Sequence, residues 1–191
     1  MGHEVYLATD RLVLREFTAG DLDALVELDS DPEVMHFITG GRATTRAELR
    51  DEVLPSWMAF YRRGEGFGFW AALDRGTGRF LGWFHLRPAG AKGAELGYRL
   101  RRDVWGRGYA AEGSRALVDK AFRELGVDRV YAETMAVHTA SRRVMEKAGL
   151  RYVRTFHADW PDRIPGDEHG DVEYALTRAE WARAERHGPD G

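Results

Sequence analysis

Cysteine is absent from the chain. That excludes disulfides, thiolate metal sites and a cysteine nucleophile, and it is compatible with a reducing cytoplasm. A strong charge of one sign is also lacking. The net charge of −3 gives no general attraction to nucleic acid or to anionic membranes. The first ten residues lack a basic start followed by an apolar run, so they do not read as a signal peptide. No stretch reaches the roughly 18 apolar residues of a membrane span. A cytoplasmic location is therefore the expectation. Repeats and low-complexity segments are missing, and so is the Gly-x-x-x-x-Gly-Lys-Ser/Thr loop of a nucleotide-phosphate site. No His-x-x-x-His occurs. His85, His157 and His169 fall on different elements without a carboxylate at ligand spacing, so no metal is expected.

What is present suits one ordinary globular domain. At 191 residues and 43% hydrophobic content, a single core buries about 70% of the surface that the unfolded chain exposes. Residues 12–17 alternate like a half-buried strand. Asp21 is placed to cap a helix carrying Leu22, Leu25, Val26 and Leu28, with Ser30-Asp31-Pro32 ending it. Thr45 and Glu48 have capping-box spacing, and Leu49, Val53, Trp57 and Phe60 would share a face of the helix that follows. Pro55 predicts a kink there. Strands are read at 67–73, 80–86, 94–100, 129–137, 152–156 and 172–176. Residues 74–78 read as a hairpin turn. Helices are read at about 110–125, 139–147 and 178–186, and 187–191 as a flexible tail. The expected class is α/β (α+β mixed sheet), one central mixed sheet with helices on both faces.

One segment carries chemistry. Trp105-Gly106-Arg107-Gly108-Tyr109-Ala110 joins a strand to an amphipathic helix. A helix start presents unpaired N–H groups and the positive end of the dipole, and glycines admit a bulky anion close to that backbone. Arg101, Arg102 and Arg107 add positive charge around it. Taken alone, the glycine pair fits a plain tight turn equally well.

Three segments in order make the chain resemble the GNAT acetyltransferases, nearest their RimJ/RimL-like branch of ribosomal-protein N-terminal acetyltransferases. They are Leu7-x-Thr9-x-Arg11-Leu12-x-Leu14-Arg15-x-Phe17-x-x-x-Asp21, then Glu95-Leu96-Gly97-Tyr98-Arg99-Leu100 with the glycine turn, and Ser141-Arg142-Arg143-Val144-Met145-Glu146-Lys147-Ala148-Gly149-Leu150. The resemblance covers residues 7–181 as a single domain. It implies two parallel strands that splay apart around the pantetheine arm of acetyl-CoA, with Gly97 as a bulge starting the splay. The backbone of Gly97, Tyr98, Arg99 and Leu100 would bind that arm. The N–H groups of Gly106, Arg107, Gly108, Tyr109 and Ala110 would hold the pyrophosphate, with His138 and Ser141 as further coenzyme contacts. His138 stands where the branch has Asn, Asp103 where the turn often has Gln or Arg, and Met145 where many relatives have an acidic tyrosine.

The implied reaction is direct transfer of acetyl to a primary amine. Glu95 is the first candidate for general base and Glu133 the second, with Ser141 as a substitute acid. Asp159 and Trp160 lie in a loop that the resemblance puts beside the acceptor, where a negative rim would attract an ammonium. The acceptor expected from the branch is a protein or peptide N-terminus, with a small-molecule amine such as an antibiotic or polyamine as the alternative. A non-catalytic acyl-CoA sensor is the rival from another class. Neither nucleic acid nor membrane is an expected partner, and the resemblance admits a homodimer.

Overall fold

In the computed structural model, which describes residues 4–187, the chain opens with β1 (Val5–Ala8) and β2 (Leu12–Glu16), an antiparallel pair. β1 is a short edge strand that the sequence pattern does not reveal. α1 (Leu22–Asp29) follows, but Asp21 does not cap it through its side chain. That carboxylate instead accepts from the backbone N–H of Thr18 and from Arg15, closing the single turn before the helix. Pro32 does not simply terminate structure. It starts α2 (Pro32–Thr39), with the Asp31 side chain accepting from the Glu33 N–H. A proline at the first helical position loses no bond, because that N–H has no partner inside the helix.

Thr45 caps α3 (Arg46–Glu48) by accepting from the Glu48 N–H, as its spacing predicts. The helix then widens into a π-turn over residues 49–53 and resumes as α4 (Leu54–Tyr61). Pro55 therefore falls in the first turn of a resumed helix, and the wider turn replaces the expected break.

The sheet continues with β3 (Gly68–Asp74), β4 (Phe80–Ala89) and β5 (Gly93–Leu100). The glycine turn leads into α5 (Tyr109–Glu124), followed by β6 (Arg129–Met135), α6 (Thr139–Lys147), β7 (Arg151–Phe156), β8 (Asp171–Thr177) and α7 (Arg178–His187). His187 closes α7, and the rest of the expected tail, 188–191, lies outside the described residues.

The eight strands of the described residues lie in the order β1-β2-β3-β4-β5-β6-β8-β7. Among the described residues β5 and β6 are the one parallel pair, and α5 makes the crossover between them. Helices cover both faces. One core joins the sheet to α5 and α6 through Phe84, Leu96, Leu117, Phe122 and Met145. The other lies beneath α1, α2 and α4 and contains Leu25, Val34, Trp57, Phe69 and Trp83. No helix among the described residues is long and apolar enough to cross a membrane.

Candidate active site

The parallel pair is joined only at its base. β5 and β6 are in register at Gly93 with Arg129, Ala94 with Val130 and Glu95 with Tyr131. Beyond Glu95 and Tyr131 both strands continue without pairing to each other, β5 to Leu100 beside β4 and β6 to Met135 beside β8. Backbone groups on the two facing edges are thus left to a guest, as a missing strand would leave them. The expected bulge at Gly97 is not there. The β4–β5 register runs unbroken through His85 and Gly97. Glycine serves a different purpose: a Cβ at position 97 would lie 2.6 Å from Nε2 and 2.9 Å from Nδ1 of His85. The ring occupies the place of a side chain.

At the far end of β5 the chain turns through Gly106 and Gly108, whose φ angles of 72° and 85° are in the left-handed region that favours glycine. Nothing lies within 4 Å of a Cβ built on Gly106, so this turn is open to a ligand. Gly108 is the N-cap of α5, a helix of 16 residues without a side-chain cap. Its first N–H groups and dipole are available to an anion. The opening motif braces this turn from more than a hundred residues away. Glu112, in the first turn of α5, accepts from Thr9 Oγ1 at 2.6 Å, from the Arg11 N–H at 2.9 Å and from Arg11 Nε at 2.6 Å. Arg11 also donates to the Arg107 carbonyl and stacks on Tyr109. Of the expected basic residues, Arg101 pairs with Glu27 and Arg102 sits 3.6 Å from Asp31. Among the described residues Arg107 forms no ion pair.

Strand alternation puts Glu95, Tyr131 and Glu133 on one face, because Glu95 is level with Tyr131 and Glu133 is level with Glu173 on β8. Burial opposes ionisation of Glu95, but the neighbouring His85 and the Arg87 guanidinium outweigh it and hold the carboxyl below its ordinary range. Glu133 differs. Burial, then the charges of Glu173 and Glu95, push its carboxyl up. Glu173 is tied to Arg129 and Arg154, whereas Glu133 forms no ion pair among the described residues.

Ser141, near the start of α6, shares a hydrogen bond of 2.9 Å with Tyr98 Oη. The contact ties α6 to β5 across the open fork. Burial pushes the Tyr98 phenol up to about 12, and the Ser141 contact offsets this only in part. His138 precedes α6 and stacks on Phe37 of α2 at 4.1 Å, where burial and then His36 pull its imidazole down to about 4. Met145 is buried in the core.

In the loop after β7, Trp160 is 54% exposed and donates Nε1–H to the buried Asp171 at 2.8 Å. Asp159 is exposed beside it. The same loop reaches α2's end, where Asp162 lies 3.4 Å from Arg42 and Ile164 covers Gly40. α2 and this loop therefore meet above the β6 limb of the fork. His157 approaches only the Glu168 carbonyl, and no group of three His, Asp or Glu among the described residues is arranged to hold a metal ion.

Residues 11–151 match the family model described as an acetyltransferase (GNAT) domain. FsC-acetyl coenzyme A-N(2)-transacetylase of Aspergillus fumigatus is 37% identical over 182 residues, covering 90% of this chain and 73% of that protein. The crystal structure of a GNAT-family acetyltransferase from Bacillus anthracis superposes with a TM-score of 0.74 at 25% identity, covering 94% of this chain and all of that one. Fold neighbours also include RimL in complex with coenzyme A, at TM-score 0.75, 18% identity and 91% and 98% coverage. An aminoglycoside acetyltransferase with coenzyme A matches at 0.72 and 20% identity, covering 91% and 99%.

Proposed function

The chain belongs to the GNAT acetyltransferase family and is an acetyl-CoA-dependent N-acetyltransferase, and from that premise we propose that it acetylates a cationic primary amine entering over the Glu95–Glu133 face of the fork. The observation that carries this reading is the parallel pair that ends at Glu95 and Tyr131, with two unlike carboxylates beside the point of divergence. The residues present fit the coenzyme. The open glycine turn at the start of α5 takes the pyrophosphate, and the edge of β5 from Gly97 to Leu100 offers N–H and carbonyl groups to the pantetheine amides. Acetyl-CoA supplies the activated thioester carbon when bound.

The chain's own residues then manage protons and orientation. An ammonium cannot attack, so a base must take its proton. Glu133 suits that role better than Glu95, because a carboxyl raised above its ordinary range is the stronger base. Glu95, ionised and fixed by Arg87, anchors the incoming ammonium. This reverses the order in which the two are ranked from sequence. A β5 backbone N–H near Gly97 polarises the thioester carbonyl. Ser141 and Tyr98 brace the fork, since a phenol raised to about 12 is a poor proton donor to a departing thiolate. Asp159 and Trp160 line the acceptor's entrance.

The acceptor is a small-molecule amine. Supporting this, the relative that is 37% identical over 182 residues carries a numbered nitrogen, N(2), in its name as a transacetylase, while RimL is 18% identical. A protein N-terminus is the second reading, favoured by the opening motif at Leu7–Asp21 and by the RimL fold match. Release of coenzyme A thiol with a panel of amino acids, polyamines, aminoglycosides and short peptides tests both. Turnover confined to peptides overturns the first reading, and the absence of thiol release with every amine of the panel overturns acetyl transfer over this face.

A further inference from the structure

One buried titratable side chain at the fork has no part in the chemistry above. His85 on β4 is 8% exposed, and neither ring nitrogen has a hydrogen-bond partner. A buried donor or acceptor left unmet costs about 1–3 kcal/mol, so an apolar residue would fill this place better if filling were all that it needed. The ring cannot move away to find partners. Phe69 meets its edge at 4.9 Å, Trp83 lies alongside at 5.8 Å, and the Gly97 backbone closes the space beneath it. Its nearest charged neighbour is Glu95, whose Oε1 lies 3.7 Å from His85 Nε2, while Arg87 holds Oε2.

We propose that His85 is a positioning residue for Glu95: it donates Nε2–H to Oε1 when the acceptor arrives, so that His85 and Arg87 fix the carboxylate from both ends toward the ammonium. The proposal rests on the reading of Glu95 as the acceptor's anchor. The titratable and charged groups around this site are Arg87 on β4, Glu95 and Arg99 on β5, Asp29 bound to Arg99 from α1, and Tyr131 and Glu133 on β6, while β3 presents only Phe69. Burial, together with Arg87 and Arg99, keeps the imidazole below its ordinary range despite Glu95. In this role it donates a hydrogen bond and gives up no proton. Gly97 is the enabling residue, since any side chain there would displace the ring.

The test compares His85→Phe, His85→Gln, Glu95→Gln and the double variant His85→Phe/Glu95→Gln in the full chain. Phenylalanine fills the slot between Phe69 and Trp83 but cannot donate; glutamine can. With acetyl-CoA saturating, His85→Phe is expected to raise KM for the amine about tenfold, the worth of one hydrogen bond to a charged group. Expected kcat stays within about twofold and coenzyme Kd is unchanged. His85→Gln is expected to recover most of the KM, and the Phe substitution to add nothing further to Glu95→Gln. Wild-type KM in a folded His85→Phe variant, equal loss in both His85 variants, or additive effects in the double variant overturns the role of His85. Should His85→Phe not fold, His85→Leu, which also cannot donate, is read in its place against His85→Gln and Glu95→Gln by the same criteria. If Glu95→Gln leaves the amine KM unchanged, the anchor falls and His85 with it. Absence of turnover in the wild type instead sinks the acetyl-transfer reading, a result visible before any variant is made.

Discussion

At the residue scale Glu133, beside the fork, ties stability to catalysis. Glu133 has its carboxyl raised by burial and by neighbouring carboxylates, so the fold prefers its protonated form. Its contribution to stability is present below the carboxyl's unfolded pKa and is lost as pH rises through the folded value. Glu133→Gln is therefore expected to raise Tm at pH 7 and to leave it unchanged near pH 4, while kcat/KM falls on the order of 10²-fold. Thermal melts at both pH values and a pH–rate profile check this; the wild-type acid limb should lie above that of an ordinary glutamate. A variant that is both less stable at neutral pH and fully active would remove Glu133 as the base. Gly108 gives a second case. Its φ of 85° and its place at the helix start mean that Gly108→Asp adds backbone strain and a negative charge together. Coenzyme Kd should rise at least tenfold, on the order of 1.4 kcal/mol or more, with Gly108→Ala as the control that carries strain without charge. Calorimetric titration measures both.

At the element scale the join between the β1–β2 hairpin and α5 supports the coenzyme turn. Glu112 accepts three hydrogen bonds there, and its carboxyl is held below the ordinary range by Thr9 and Arg11 against the effect of burial. Such a contribution is present at neutral pH and is lost as pH falls through the folded pKa. Glu112→Ala is expected to cost about 2 kcal/mol, a fall in Tm of roughly 4–8 °C for a chain of this size, and to weaken coenzyme binding although the residue is not placed against the coenzyme. The Tm difference should shrink on acidification. Sequence periodicity made most elements legible here, including α5 and α6 close to their true ends. The failures have physical reasons. β1 is too short to show a period, and Pro32 reads as a stop signal until Asp31 is recognised as a cap. The Thr9–Arg11–Glu112 join pairs residues about a hundred positions apart, which local pattern cannot supply. At Gly97 the sequence marks the position but not its cause, because the ring that needs its space comes from the adjacent strand.

At the scale of the whole molecule, binding and folding are linked through the fork. Ligand that binds only the folded state at 100 times its Kd adds about 2.7 kcal/mol, so saturating coenzyme A is expected to raise Tm by roughly 5–10 °C. Hydrogen exchange should show new protection on β5 beyond Glu95 and in the turn from Gly106 to Ala110, with little change on β1 to β3. Uniform protection, or protection absent from the fork, would place the coenzyme elsewhere. The family and mixed sheet were legible from three motifs in order, since the glycine turn and the strand before it are contiguous in sequence. The strand order was not, because β8 inserts between β6 and β7 through contacts that only the assembled sheet reveals.

That insertion has a consequence for how the molecule is made. The stretch Asp171–Thr177 lies between β6 and β7 in space, yet among the described strands it comes last in sequence. A polypeptide emerging from the ribosome can assemble its first five strands early, but one arm of the cleft must wait without its outer neighbour until Asp171–Thr177 has been made. Truncation before Asp171 would leave a half-built sheet with two raw edges, and the cell would have a chaperone client in place of a catalyst.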